Sequence, residues 1–489
     1  MEGKLAIYNT LSRTVETFIP LTSNHVGIYL CGPTVYGEPH LGHVRGPLTF
    51  DILHRYLLHL GYKVRFVRNI TDVGHLTNDS DDGDDKIQKK ALLEKLEPME
   101  IAQKYTYSYH QMLHALDILP ASIEPRASGH IIEQIEMIEK LISKGYAYVS
   151  QGSVYFDVAK YSSDYNYGEL SGRNTDELIA GSSRRTLEGQ EGKRNPEDFA
   201  LWKQADKTHI MKWKSPWGDG FPGWHIECSA MSAKYLGEQF DIHGGGLDLL
   251  FPHHESEIAQ SKGCTGKIPA KYWMHHNMIT INGQKMAKSL NNGIMVQDFF
   301  TGNHPLLEKA YSPMNLKFFI LQAHYRGTLD FSNEALQAAG KGFERLMNAL
   351  QVLDEIKATG NGWNASIWQQ NCYDALNDDL NTPILIAHLF EAVKAINSLK
   401  AGLESIDTQN LDILRKGFKL FVVDILGLNS EDKNTGANLE QELIMALLDL
   451  RSQAKTDKNY ALSDSIRERL NNLGIEIKDS KEGTTFTLK

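Results

Sequence analysis

The chain of 489 residues lacks the marks of several protein classes. Cysteine is scarce: four residues cannot staple a disulfide scaffold, and they suit a reducing compartment. No apolar run approaches the ~18 residues of a membrane-spanning helix, and the mean hydropathy is -0.36. Proline (15) and glycine (40) are too few for a collagen-like or Pro/Gly-rich disordered chain. The opening MEGKLAIYNTLSRTVETFIP is polar and mixed, which predicts no signal peptide and a cytoplasmic protein. An excess of basic charge is missing too: 51 Lys and Arg against 61 Asp and Glu leave a net charge of -10. That balance does not advertise a nucleic-acid partner, but local patches count for more than the total. Residues 451–489 carry eight Lys and Arg against six Asp and Glu, a mildly basic tail on an acidic chain.

Apolar residues (41%) and charged residues (23%) stand at globular levels, and the length predicts about two to four domains. HVGIYLC (25–31) reads as a buried strand followed by Gly-Pro turn chemistry. Leu48, Ile52, Leu53, Tyr56, Leu57 and Leu60 then recur at helical spacing, with Gly61 as the stop, and KVRFVRNIT (63–71) reads as a second strand. This β-α-β unit predicts a parallel sheet with its ligand at the carboxyl ends of the strands, where CGPTVYGEPHLGH (31–43) lies.

Further along, 77–90 holds Asp79, Asp81, Asp82, Asp84 and Asp85. An EF-hand register from Asn78 puts Lys89 where a bidentate glutamate is needed, so a solvated loop is predicted and calcium is not. Residues 86–116 and 128–145 read as helical, 181–197 as an exposed loop, and 330–428 as helical throughout. Residues 429–438 read as a linker, before a helical pair and a strand pair over 475–488.

Two motifs point to nucleotide chemistry. In PHLGH, Gly42 lets a nucleotide approach the backbone at a helix start, and His40 and His43 can hydrogen-bond phosphate oxygens. In INGQKMAKSLNN (281–292), Lys285 and Lys288 can neutralise a departing pyrophosphate. Alone, the first is equally a helix start with surface histidines, and the second a solvated basic loop. Together they resemble the signature pair of class I aminoacyl-tRNA synthetases, which activate a carboxylate as its adenylate. Metal-type residues are scattered as well: Cys31, Cys228 near Trp224, and His253 with Glu257 four residues on, spaced for one helix face. Two thiolates, an imidazole and a carboxylate suit zinc, although isolated cysteines are more often packing residues.

The stretches YLCGPTVYGEPHLGHVR (29–45), FPGWHIECSAMS (221–232), FDIHGGGLDLLFPHHESEIAQS (240–261) and the KMAKS loop resemble the cysteinyl-tRNA synthetase family, over nearly the whole chain. The resemblance implies an α/β fold. A split Rossmann-like, parallel-sheet catalytic domain (1–120 and 222–290) carries an inserted connective domain (121–221). A junction (291–330), an all-helical tRNA-binding bundle (331–428) and a small anticodon-binding domain (439–489) follow. It implies one zinc per chain on Cys31, Cys228, His253 and Glu257. It also implies Trp224, Thr71 and His243 at the amino acid, and ATP with Mg²⁺ at His40, Gly42, His43, Lys285 and Lys288. The partners would be ATP, L-cysteine and cysteine-specific tRNA, with the chain a monomer. A physical reason for zinc follows. Cysteine and serine are near-isosteres that an apolar pocket separates poorly, whereas a thiophilic metal favours the thiolate. No hydrolytic editing domain is then expected, and truncation after about residue 330 is expected to spare amino-acid activation.

The chain departs from the family pattern in places. NITDVGHLTNDSDDGDDK (69–86) carries an insertion where most relatives read NITD, a hydrophobic residue, then DDK. Ala287 replaces the commoner serine of the lysine loop. In the tail, Lys455 and Tyr460 stand where relatives often show arginine and tryptophan, and Asp479 matches an acidic position. These three could read splayed anticodon bases, or be a surface helix and a packing tyrosine. The alternative enzyme is the cysteine ligase of mycothiol synthesis, which shares the zinc site and both nucleotide motifs but is shorter and lacks the basic tail.

Overall fold

The computed structural model describes residues 4–76, 85–173, 192–207, 209–286 and 292–430, and most of the C-terminal segment from 444 onward. At its centre is a parallel sheet of four strands in the order Ala270–His276, Phe240–Gly246, His25–Leu30, Lys63–Arg68. The expected β-α-β unit is there: His25–Leu30 runs parallel to Lys63–Arg68, joined by the helix Gly42–His59. A parallel pair needs such a crossover. The helix buries Val44, Leu48, Ile52, Leu53, Tyr56 and Leu57 against the sheet and its neighbours.

Between Lys63–Arg68 and Phe240–Gly246 the chain leaves the sheet. It forms the helix Ile131–Ser143 and an antiparallel five-stranded sheet over 147–222, with its own core around Trp202, Phe156 and Leu201. Beyond the central sheet, a parallel pair, Ile279–Ile281 with Leu329–Phe331, carries the short strand Gln284–Lys285 on its edge. Five helices between Pro313 and Lys419 follow among the described residues.

These helices share the core of the catalytic sheet. Tyr56 Oη donates to Asn377 Oδ1 (2.8 Å), and Asp379 Oδ1 accepts from Tyr8 N (2.7 Å) and Tyr325 Oη (2.6 Å). Asp379 adopts a left-handed φ of 55°, a conformation that surrounding contacts must hold in place. A chain ending near 330 would expose this shared core. The compact units are Met1–Leu428 and Asn429–Lys489. The second unit holds the helix Tyr460–Asn472 and the hairpin Ile475–Ser480/Gly483–Leu488, around Ile444, Leu448, Leu470 and Ile475. No helix among the described residues is long and apolar enough to cross a membrane.

Much of the acidic loop (77–84) and of the 181–197 loop, and most of the linker, lie outside the described residues. Asp85, read as part of that loop, is buried and caps the helix Lys86–Glu94, accepting from Ile87 N and Gln88 N.

Candidate active site and metal centre

The metal-type residues arrive on separate elements at the carboxyl end of the central sheet. Cys31 is the first residue past the strand His25–Leu30, and its N–H donates to Gly244 O of the neighbouring strand (3.1 Å). Cys228 lies one turn beyond Trp224 in the helix Trp224–Leu236. The spacing of His253 and Glu257 predicts one regular helix; His253 instead sits in an irregular turn, Leu250–His254, kinked at the extended Phe251, just ahead of the helix Glu255–Thr265. Their side chains still meet, with His253 Nε2 3.2 Å from Glu257 Oε1. Cys31 Sγ is 3.7 Å from Cys228 Sγ and 3.6 Å from Glu257 Oε1, and both cysteines are free thiols. One donor atom from each of the four residues falls within 4.8 Å of every other.

A second set, Cys31, His243, His254 and Glu257, meets the same limit. Sequence reading missed His254 as a candidate, along with the other imidazoles that brace the cluster. His225 Nδ1 lies 2.9 Å from His253 Nδ1, and His243 Nε2 lies 2.9 Å from Glu257 Oε2. His254 Nε2 is 3.4 Å from Cys31 Sγ, while its Nδ1 is 2.8 Å from His275 Nε2. The available signal was local: His-His pairs in FPHHE and WMHH, and the histidine of GWHIEC.

The electrostatics favour a cation. Burial alone would raise Cys228, yet hydrogen bonds with Cys31 and His253 bring its thiol down to about 6. Burial opposes Glu257 in the same way, and His243 and His253 overcome it, holding the carboxyl at about 2. His253 is carried up to about 10 against its burial by Cys228 and Glu257. Burial, and then Cys228, push the Cys31 thiol well up. The buried Cys228 thiolate and Glu257 carboxylate are thus held ionised by positive charge on the His253 ring, a charge that a bound cation would supply in its place. Two sulfurs, an imidazole nitrogen and a carboxylate oxygen make a donor set that fits zinc.

Cys31 also lines a cavity of about 280 Å³, with His40, Gly42, His43, Gly246, Met278 and Met286 on its walls. His40 and His43 stack at 3.8 Å. The backbone N–H of His40 donates to His43 Nδ1, and that of Gly42 to His40 Nδ1, both at 3.1 Å. With each Nδ1 accepting, a neutral ring carries its proton on Nε2. Burial and the neighbouring His40 push His43 down to about 3, so it acts as a neutral donor. A Cβ on Gly42 would meet the His40 ring at 2.9 Å and Met286 at 3.2 Å, so a larger residue here would push the His40 ring and Met286 aside. The same segment is tied to the chain just past the lysine loop: Leu41 N donates to Ile294 O (3.0 Å) and Val296 N to Pro39 O (2.9 Å). Lys285 ends the edge strand beside Met286, and Lys288 lies outside the described residues.

Trp224 is half-buried, with the His253 ring 4.4 Å away. Thr71 is buried, donates to Glu227 Oε2 (3.0 Å) and accepts from Val35 N (3.2 Å), holding the loop after Cys31. Glu227 was not anticipated; burial and the adjacent Cys228 push it well up. His243 is fully buried and stacks on Trp273 at 4.4 Å. In the second unit Lys455 is exposed and Tyr460 is 62% exposed, so this tyrosine is not a packing residue. Asp479 pairs with Thr484 in the hairpin.

Residues 17–341 match the family described as tRNA synthetases class I (C) catalytic domain, and residues 371–430 match the DALR domain. The chain is 58% identical over 494 residues to the cysteine–tRNA ligase of Bacteroides thetaiotaomicron, covering 100% of both chains. It is 58% identical over 492 residues to that of Bacteroides fragilis, again covering 100% of both. In fold it resembles Mycobacterium tuberculosis methionyl-tRNA synthetase in complex with methionyl-adenylate. The TM-score is 0.56 at 13% identity, over 82% of this chain and 89% of the other.

Proposed function

The chain belongs to the cysteine–tRNA ligases, a family of class I aminoacyl-tRNA synthetases, and we propose that it charges its cognate tRNA in two steps. The cysteine carboxylate attacks the α-phosphorus of ATP, giving cysteinyl-adenylate and releasing pyrophosphate. The terminal ribose hydroxyl of the tRNA then attacks the acyl carbon and releases AMP. The observation that carries this reading is the shared wall: Cys31 belongs both to the thiol-rich cluster and to the cavity bounded by His40, Gly42 and His43.

The roles follow from the chemistry at each wall. His40 and His43 offer Nε2–H donors to phosphate oxygens as charge grows on them. Lys285 and Lys288 neutralise the departing pyrophosphate, and Mg²⁺ accompanies ATP through the phosphates. Zinc on Cys31, Cys228, His253 and Glu257 would supply a preference for thiolate over alcohol, and hence for cysteine over serine. His243 orients Glu257, His225 orients His253, and Trp224 stands against the His253 ring on the amino-acid side of the metal cluster. Little covalent work falls to the protein; positioning and charge stabilisation carry the reaction. Residues 331–428 and 439–489 are assigned to tRNA, with Lys455, Tyr460 and Asp479 at the anticodon. The chain acts in the cytoplasm as a monomer.

The test is ATP-dependent transfer of labelled cysteine, with cysteine-specific tRNA and the mycothiol amino sugar offered in parallel. Label on tRNA alone, and none when serine replaces cysteine, is the expected result. Label on the amino sugar would overturn the acceptor assignment.

A further inference from the structure

The insertion after Asp72 has no part in the reaction as described, yet its base is built into the amino-acid side of the site. Lys86 N donates to His75 O (3.0 Å), and Leu76 bridges to Asp85, so the two ends of the insertion close on each other. Gly74 has φ +75°, and a Cβ there would meet Pro222 O at 2.5 Å. Only glycine allows the chain to pass this close to the residues that lead into Trp224.

This passage delivers His75, which is buried, onto the indole of Trp224. The two rings stack at 4.1 Å with planes 12° apart. Both ring nitrogens are held: Nδ1 lies 2.5 Å from Thr34 Oγ1, and Nε2 lies 2.7 Å from Lys86 Nζ. An ammonium can only donate, so Nε2 accepts and the ring proton sits on Nδ1, donating to Thr34. Thr34 belongs to the loop that leaves Cys31, and Lys86 opens the helix Lys86–Glu94 beyond the insertion. The imidazole is therefore locked in orientation by two separate elements. Trp224, one helical turn before Cys228, is thus packed between the His75 ring on one side and the His253 and His225 rings, 4.4 and 5.4 Å away. His75 does not line the nucleotide cavity.

We propose that His75 is a positioning residue for amino-acid binding: the insertion supplies it as a fixed backing for Trp224, so that the indole wall stands ready beside the metal cluster before cysteine arrives. The inference rests on the reading of this chain as a cysteine-activating enzyme. A wall held in its bound orientation costs less ordering on binding, so the effect belongs in the affinity for cysteine and not in that for ATP.

The experiment is ATP–pyrophosphate exchange on the full-length zinc-loaded protein, with His75→Ala, His75→Phe and Lys86→Met beside the wild type. Loss of the stack in His75→Ala is expected to raise KM for cysteine about tenfold, with KM for ATP and zinc per chain unchanged. His75→Phe keeps an aromatic face and should recover most of that loss. Lys86→Met, which removes this donor to Nε2 and keeps the imidazole, should raise KM for cysteine about threefold. An unchanged KM for cysteine in His75→Ala, or in Lys86→Met should His75→Ala fail to fold, overturns the proposal. So does a loss of zinc in step with the loss of cysteine affinity, which would assign His75 to building the metal centre. A wild type without cysteine-dependent exchange would overturn the proposed function itself, a result distinct from a silent His75→Ala in an active enzyme.

Discussion

Cys31 Sγ and Cys228 Sγ lie 3.7 Å apart, although 197 residues separate them along the chain. One follows directly on a strand of the central sheet and the other stands on the helix Trp224–Leu236. Neither is in a disulfide, and His253, from the turn Leu250–His254, and Glu257, from the helix Glu255–Thr265, close the cluster. The thiol pair is thus a product of the sheet order, which returns the chain to the side of His25–Leu30 after the whole inserted segment.

Cys228→Ala should empty this centre. Zinc measured by elemental analysis is expected to fall from one per chain to near zero, with cysteine-dependent pyrophosphate exchange lost alongside it. Removing one of only two sulfur donors leaves a set that holds zinc poorly. Full zinc content in the variant would refute the assignment of Cys228 as a ligand.

Arg45 should matter more than a helix-surface arginine. Its guanidinium is buried and spends its donors on carbonyls: Nη1 to Met278 O (2.8 Å), and Nη2 to His324 O (2.9 Å) and Gly327 O (2.5 Å). It thereby ties the helix after His43 to the segment leading into the lysine loop. Arg45→Met leaves three carbonyls without this donor and is expected to cost about 3 kcal/mol of stability. Arg45→Lys should recover only part, because an ammonium lacks the planar fork. Urea unfolding of the three proteins checks this; equal midpoints would refute it.

Lys317 gives a pH dependence with a definite sign. Its ammonium is fully buried, bonded to Leu116 O (2.9 Å) and Asp117 O (3.2 Å) and 3.5 Å from Asp51. Burial, with Arg55 nearby, pushes it down to about 8, although Asp51 and Asp117 pull the other way. Between pH 8 and its ordinary 10.5 the unfolded chain binds more protons than the folded one, so stability rises with pH. The penalty is present in full below pH 8 and is gone above 10.5. Against Lys317→Met, the wild type should gain up to about 3 kcal/mol across that window. A stability difference that stays constant from about pH 7.5 to about pH 10.5 in paired urea melts would count against it.

Removal of 429–489 follows the boundary between the two compact units and leaves the first unit's core whole. Pyrophosphate exchange is expected to stay within about twofold, because an independent unit keeps its own core. Charging of tRNA should drop by more than about tenfold, since stacking and hydrogen bonds to splayed bases carry such recognition. Charging at the wild-type rate would remove the tail from tRNA recognition.

The β-α-β unit was legible because its apolar spacing switches between periods within one short stretch, and each step is a local event. The place of PHLGH, past a strand end and at a helix start, was legible for the same reason. His253 and Glu257 were paired from spacing alone, yet the kink at Phe251 just before them was not foreseen; i and i+4 neighbours meet across more than one backbone shape. His225, His254, His275 and Glu227 were passed over, since a single histidine or glutamate in an apolar stretch carries no sign of what it will face.

The sequence by itself determined the elements and the chemical vocabulary: where strands and helices start, which motifs sit at strand ends, and which residues can bind phosphate or metal. Those are set by short-range sterics, periodicity and side-chain chemistry. Only the tertiary structure decided the company each residue keeps. It closed Cys31 on Cys228, joined the helices beyond 330 to the catalytic core, and laid His75 of the insertion on Trp224. Such meetings depend on how distant segments are ordered around one sheet, and burial then sets charge states that no isolated side chain would show.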